Sequence, residues 1–213
     1  KVQDQESHAG RFPAIEKQPV KTLLKVPIVN IFVRKKIRKQ LIDFFGGQVG
    51  EFVIGGASLN AEVEKFLMSI RFPFTVGYGM TETSPLIGYC SWQEFRSQSC
   101  GKVVDRIEVK IDSNNPATEV GEIMVRGTNV MLGYYKNEEA TREVLDEDGW
   151  LHTGDLANVD GNGNIRLTGR KKNVIVTKNG KNIYPEELED ALNGNPFILE
   201  SMVVGTEREE DDE

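Results

Sequence analysis

Two short apolar runs, Glu51–Ile54 and Phe74–Gly77, each stop against glycine and flank one amphipathic stretch, and this arrangement constrains the fold more than any other feature of the chain. Both runs have strand length and strand-favouring residues. Between them Val63, Phe66, Leu67 and Ile70 recur at helical spacing, which predicts a helix over Leu59–Ile70 with one face turned to a core. Asn60 stands where its side chain can accept from the free amides of the first turn. Strand, loop, helix and strand in this order predict an α/β sheet with helices on its faces.

The texture changes after Gly101. Strand-like runs follow at Ile107–Ile111, Gly121–Val125, Ile165–Leu167 and Val174–Thr177, with turn clusters at Asp112–Pro116 and Asp160–Asn164. Such spacing predicts an antiparallel, hairpin-built subdomain. A helix over Asn137–Leu145, capped by Asn137 with Glu138 and Glu139 behind it, interrupts the strands. A last helix begins at Pro185, a favoured first helical position, and Met202–Gly205 reads as the strand after it. The expected division is therefore 1–101 (α/β), 102–170 (antiparallel β) and 171–213 (the start of a small α+β domain).

Charge removes one class of function. A net charge of −7 argues against a general nucleic-acid binder, which needs a dominant positive field. With 38% hydrophobic and 28% charged residues the composition is that of a globular protein, and a cytoplasmic setting is expected. Cys90 and Cys100 lack metal-ligand spacing and read as reduced thiols. No apolar run is long enough to span a bilayer, the segment Val26–Val33 included. Lys1–Pro19 reads as a polar loop. From Lys17 to Ile42 there is no acidic residue, and Lys17, Lys21, Lys25, Arg34, Lys35, Lys36, Arg38 and Lys39 are basic. The first reading of segment 17–39 is helix with a solvated basic face; the second is peripheral contact with anionic lipid. The start without Met and the acidic run at Glu207–Glu213 suggest a piece of a longer protein.

The residues that carry chemistry lie at strand ends. Tyr78-Gly79-Met80-Thr81-Glu82-Thr83 follows the second apolar run directly. Tyr78 offers an aromatic face and a hydroxyl, Gly79 permits close backbone approach, Thr81 can donate to phosphate, and Glu82 is a hard oxygen ligand suited to Mg²⁺. Gly55-Gly56-Ala57 ends the first run and leaves room for a flat ring. Asp155 follows Thr153-Gly154 at the expected end of a short strand, where a carboxylate can accept from both hydroxyls of a ribose. Read without context, the glycines form a plain turn and Thr81-Glu82 a helix cap or solvated surface.

Together with Gly133-Tyr134-Tyr135, Trp150–Asp155, Gly169–Ile175 and Asn179–Glu189, these motifs resemble the adenylate-forming superfamily over Glu51–Gly205, most closely the AMP-forming long-chain acyl-CoA synthetases. That resemblance implies two half-reactions. A carboxylate attacks the α-phosphorus of ATP and releases pyrophosphate; the CoA thiolate then attacks the acyl-adenylate and expels AMP. It implies ATP or AMP at Gly55, Gly56, Ala57, Tyr78, Gly79, Thr81, Asp155 and Arg170, and Mg²⁺ at Glu82. The acyl chain would be bordered by Val76, Gly77, Met80, Ser84 and Gly101. Thr81 and Glu82 would serve catalysis, Lys172 would be the hinge of the rotation between the steps, and Gly180 would line the CoA channel. The expected substrates are a fatty acid, ATP and CoA. A phosphate-gripping loop and a C-terminal lysine, both parts of the family's machinery, are not in these 213 residues, so the isolated chain is expected to lack adenylation activity. The alternatives are an amino-acid- or aryl-acid-activating enzyme and a non-catalytic homologue that binds nucleotide or a partner.

Overall fold

The computed structural model describes residues 27–206, apart from Ser58 and Pro196. The polar lead-in before Pro27 and the acidic run at the other end lie outside the described residues. The chain divides into two compact units. One contains the described residues up to Val49 together with Met68–Phe72; the other contains Gly50–Leu67 and the chain from Pro73 onward.

In the first unit, helix α1 (Pro27–Phe44) takes up the described part of the basic segment; Lys17, Lys21 and Lys25 lie outside the described residues. Lys35, Lys36 and Lys39 are exposed, a solvated basic face. The two arginines have structural work: Arg34 Nη1 donates to Ser69 O at 2.8 Å and Arg38 Nη1 to Arg71 O at 3.4 Å. They satisfy carbonyls that a helix end leaves without partners. No helix among the described residues is long and apolar enough to cross a membrane.

The second unit is mixed α/β. Strand β1 (Phe52–Ile54) pairs in parallel with β2 (Phe74–Val76), and helix α2 (Ala61–Ser69) is the crossover that parallel pairing requires. Asn60 Oδ1 accepts from Glu62 N at 2.9 Å and Val63 N at 3.2 Å, so the cap stands as its residue type predicts. A three-stranded antiparallel sheet follows: β3 (Tyr78–Gly79), β4 (Leu86–Tyr89) and β5 (Lys102–Val103). Next comes a four-stranded meander of β6 (Ile107–Asp112), β7 (Gly121–Gly127), β8 (Leu151–Val159) and β9 (Ile165–Arg170). Cys100 N donates to Ile165 O at 2.9 Å and Ile165 N to Gly101 O at 2.8 Å, which ties this sheet to the segment before it. The core runs through the meander, where Ile123, Val125, Leu151, Ala157 and Ile165 are fully buried.

Helix α3 (Glu138–Val144) starts on Asn137, whose side chain accepts from Ala140 N. Strands β10 (Ile175–Val176) and β11 (Asn182–Ile183) form a hairpin, and helix α4 (Pro185–Asn193) begins on its proline. Two expectations are corrected. Val174–Thr177 belongs to this small hairpin and not to the meander, because β11 supplies its only ladder partner among the described residues. Met202–Gly205 is not a strand: Val203 N donates to Glu189 Oε1 at 2.8 Å, a side chain of α4 taking the place of a neighbouring strand. Cys90 and Cys100 are free, buried thiols, and burial pushes Cys100 up to about 11.

Glu64 of α2 is 3% exposed and accepts from the Ser97 hydroxyl and from Gln98 N at 3.2 Å. It holds the 91–100 loop onto the helix. Glu64→Ala leaves those part-buried donors without their acceptor, and urea unfolding is expected to show a loss of about 1–2 kcal/mol.

Candidate active site

The site grows from the far end of the parallel pair. Gly77 N donates to Ile54 O at 2.8 Å, which brings the loop after β1 against the loop after β2. A side chain at Gly55 would meet Gly77 O at 3.3 Å, so these two glycines let the loops touch. Gly56 has a left-handed φ of +86°, and a side chain there would meet nothing within 4 Å; with Ala57 it stands exposed at the rim.

Tyr78 leads from this rim to the meander. Its hydroxyl donates to Asp155 Oδ2 at 2.7 Å. On the other carboxylate oxygen, Arg170 Nε sits 3.1 Å from Oδ1, while Arg170 Nη2 donates to Thr153 O at 3.2 Å. Asp155 and Arg170 are register partners across β8 and β9, so the sheet itself sets their spacing. Burial first, and then the adjacent Asp155 carboxylate, push the Tyr78 hydroxyl far above the ordinary phenol range, so it remains a donor. Its ring is only 6% exposed, and the open aromatic face expected for the base is covered in this structure. The sequence places Asp155 at the end of a short strand; in the fold it lies inside a nine-residue strand, beside the irregularity between Leu156 and Ala157. Gly154, with φ +71°, is what lets the strand turn there.

The Thr81–Thr83 turn carries the remaining motif residues. Thr81 is exposed, and Glu82 Oε1 accepts from the Tyr134 hydroxyl at 2.9 Å. Burial and then Glu82 raise the Tyr134 phenol above its usual range. Thr83, fully buried, accepts from Met80 N at 3.3 Å and donates to Pro85 O at 2.6 Å. Asn129 Nδ2 donates to Thr83 O at 2.8 Å and Leu86 O at 2.9 Å and clasps the turn from β7's end.

Residues 3–135 match the family described as AMP-binding enzyme. The chain belongs to that family. The chain is 38% identical over 181 residues to the long-chain-fatty-acid–CoA ligase FadD15 of Mycobacterium bovis, covering 85% of the chain and 28% of the relative. It is 42% identical over 164 residues to a putative acyl-CoA synthetase, YngI, of Bacillus subtilis, covering 72% of the chain and 30% of the relative. Its fold is similar to that of the o-succinylbenzoate CoA synthetase MenE of Bacillus subtilis in complex with AMP, with a TM-score of 0.68 and 30% identity over 80% of the chain and 37% of MenE. The chain thus spans little more than a third, or less, of the length of these relatives.

Within this family member, the other candidates sit at different depths. Val76 and Gly101 are buried, Gly77 and Met80 are partly covered, and Ser84 is exposed. A side chain on Gly101 would lie 2.3 Å from the Tyr89 carbonyl carbon, so the close packing of β4 requires this glycine whatever else it borders. Lys172 is exposed within the Lys171–Asn173 turn, and Gly180, with φ +74°, forms the tip of the β10–β11 hairpin. Glu122, Asn129 and Thr83 hold the site, and the motifs assign them no role. Glu122 does leave a signal: a carboxylate inside the apolar run Gly121–Val125 is a candidate buried anchor.

Proposed function

We propose that this chain forms part of the nucleotide-binding wall of an AMP-forming acyl-CoA ligase that activates fatty acids. The observation that carries the reading is Asp155, held 2.7 Å from the Tyr78 hydroxyl and beside Arg170 across adjacent strands. A fixed carboxylate beside a guanidinium suits the two hydroxyls and the ring oxygen of a ribose. Gly55, Gly56 and Ala57 open the rim beside it to a flat base, and Thr81 faces solvent where a phosphate could accept.

The donor set also fits Mg²⁺ carried by the nucleotide. This ion takes few carboxylates and keeps substrate phosphates as ligands, so Glu82, oriented by Tyr134, is an adequate protein contribution. When bound, the ion neutralises phosphate charge. Glu82 would hold it, Thr81 would orient the phosphate, and Asp155 and Arg170 would fix the ribose, so that the carboxylate of the acid could meet the α-phosphorus in line and displace pyrophosphate. The thiol of CoA then displaces AMP from the acyl-adenylate.

The identity to a long-chain-fatty-acid–CoA ligase favours a fatty acid; the likeness to MenE keeps an aryl acid as the second reading. A panel of fatty and aryl acids assayed for acyl-CoA formation by the whole protein separates them. Fatty acids of medium to long chain are expected to exceed aryl acids in kcat/KM by at least about tenfold. Preference for aryl acids would reverse the assignment, and no thioester from any acid would remove it.

A further inference from the structure

Glu122 of β7 lies just outside the nucleotide residues yet touches both of their neighbours. Its side chain is 7% exposed. One oxygen, Oε1, accepts from Gly154 N at 3.1 Å, and Gly154 adjoins Asp155. The other, Oε2, accepts from Lys171 Nζ at 2.8 Å, and Lys171 stands between Arg170 and Lys172. His152 Nδ1 is 3.5 Å from the same oxygen. Burial pushes the Glu122 carboxyl up, but the bond and charge of Lys171 and the Gly154 amide outweigh it and hold the group below the usual carboxylate range. Lys171 is correspondingly raised by Glu122. Both groups are therefore charged at neutral pH.

The far side of the same turn is held by a different element. Asn173 Nδ2 donates to Glu186 Oε1 at 2.6 Å, so Asn173 is fixed to α4. The second Glu186 oxygen is buried without a hydrogen-bond partner among the described residues, and it sits where a side chain on Gly169 would lie, 2.6 Å away. That contact with β9 is steric and can part. Lys172, between the two holds, makes no side-chain hydrogen bond or ion pair among the described residues and is exposed. A backbone rotation concentrates where neighbours are fixed and one residue is free.

We propose that the Glu122–Lys171 pair is the fixed anchor of the hinge, a positioning device that confines rotation to Lys172 and keeps that rotation from disturbing Asp155 and Arg170. This rests on the ligase reading and on Lys172 as its pivot. Glu122 fastens the sheet side of the turn through Lys171. Asn173 travels with α4. Without the anchor, the turning point spreads back toward Arg170, and the second orientation is reached less often.

The test uses the whole protein with Lys171→Met and Lys171→Arg, and Lys171→Gln as a second uncharged variant. Lys171 is 62% exposed, so these changes open no cavity, and urea unfolding of each variant reads any stability lost from the unpaired, buried Glu122 carboxylate. Acyl-adenylate formation, followed as ATP–pyrophosphate exchange, and thioester formation from preformed acyl-adenylate are measured separately. The uncharged variants are expected to slow the second step at least about fivefold more than the first, and Lys171→Arg, which keeps the charge, to restore the ratio to within about twofold. A ratio shifted less than fivefold, an equal fall in both steps, or no recovery with arginine overturns the anchor while leaving the ligase reading standing. A wild-type protein inactive in both steps overturns the ligase reading itself and the anchor with it.

Discussion

Asp155→Ala is expected to weaken AMP binding by about two orders of magnitude or more, the largest single effect on the site. A carboxylate accepting from both ribose hydroxyls makes two charge-assisted hydrogen bonds, each worth about 1.5–3 kcal/mol, and their combined loss corresponds to about 10²–10⁴ in affinity. The substitution also leaves the buried Tyr78 hydroxyl without its acceptor and Arg170 without its ion partner. A second, separable effect follows: a stability loss of about 1–3 kcal/mol from the stranded donor. Tyr78→Phe divides the two. It removes the donor and keeps the carboxylate, which still has Arg170 Nε 3.1 Å from its other oxygen, so AMP affinity is expected to fall less than about tenfold while Asp155→Ala loses far more. Titration calorimetry on the whole protein with AMP reads the first effect and urea unfolding the second. Affinity for AMP within about threefold of wild type in Asp155→Ala would make the carboxylate a structural tie between β8, β9 and Tyr78, and the ribose assignment would fall.

How much of this was legible in the sequence depends on the range over which each feature is determined. Asn60, Asn137 and Pro185 cap or start their helices as their residue types predict, because a cap is settled within three or four residues. Strand β8 was not legible as one element. His152, Gly154 and Asp155 break the alternation of Leu151–Val159, and what keeps the strand whole is pairing on both edges, with β7 and β9. Strands β3, β4 and β5 are too short to carry a period at all, and they exist through their register with one another. The same contrast holds in the site. Tyr78, Asp155 and Arg170 could be read from motifs as candidates; that Tyr78 would be buried with its hydroxyl on Asp155 follows only from the packing of β3 beside the meander. The partners of Glu122 and Asn129 escape a sequence reading because Lys171 and the Thr83 and Leu86 carbonyls lie over forty residues away in sequence.

Gly79 shows how a motif glycine can be required for a reason other than the one its motif suggests. The motif gives it to the nucleotide, as a place where backbone must approach a ligand. In the fold, a side chain at Gly79 would lie 1.8 Å from Pro85 O and 2.7 Å from its carbonyl carbon. Those are backbone atoms of the facing segment, so no rotamer change relieves the overlap. The β3–β4 pair would have to open, and with it the bond from Met80 N to Pro85 O at 2.8 Å and the Asn129 clasp around Thr83. Gly79→Ala is therefore expected to cost about 3 kcal/mol or more, in the upper range of overpacking effects, and to do so with no nucleotide present. Gly56→Ala is the matched comparison. Gly56 is also a motif glycine, but nothing lies within 4 Å of the added carbon and only its φ of +86° resists substitution, a cost of about 1 kcal/mol. Urea unfolding of both variants in nucleotide-free buffer reads the difference. If Gly79→Ala is no less stable than Gly56→Ala and loses only AMP affinity, the glycine serves the ligand and the turn has room that its backbone geometry denies; if it unfolds first, the demand for glycine at this position comes from the hairpin that presents Thr81 and Glu82.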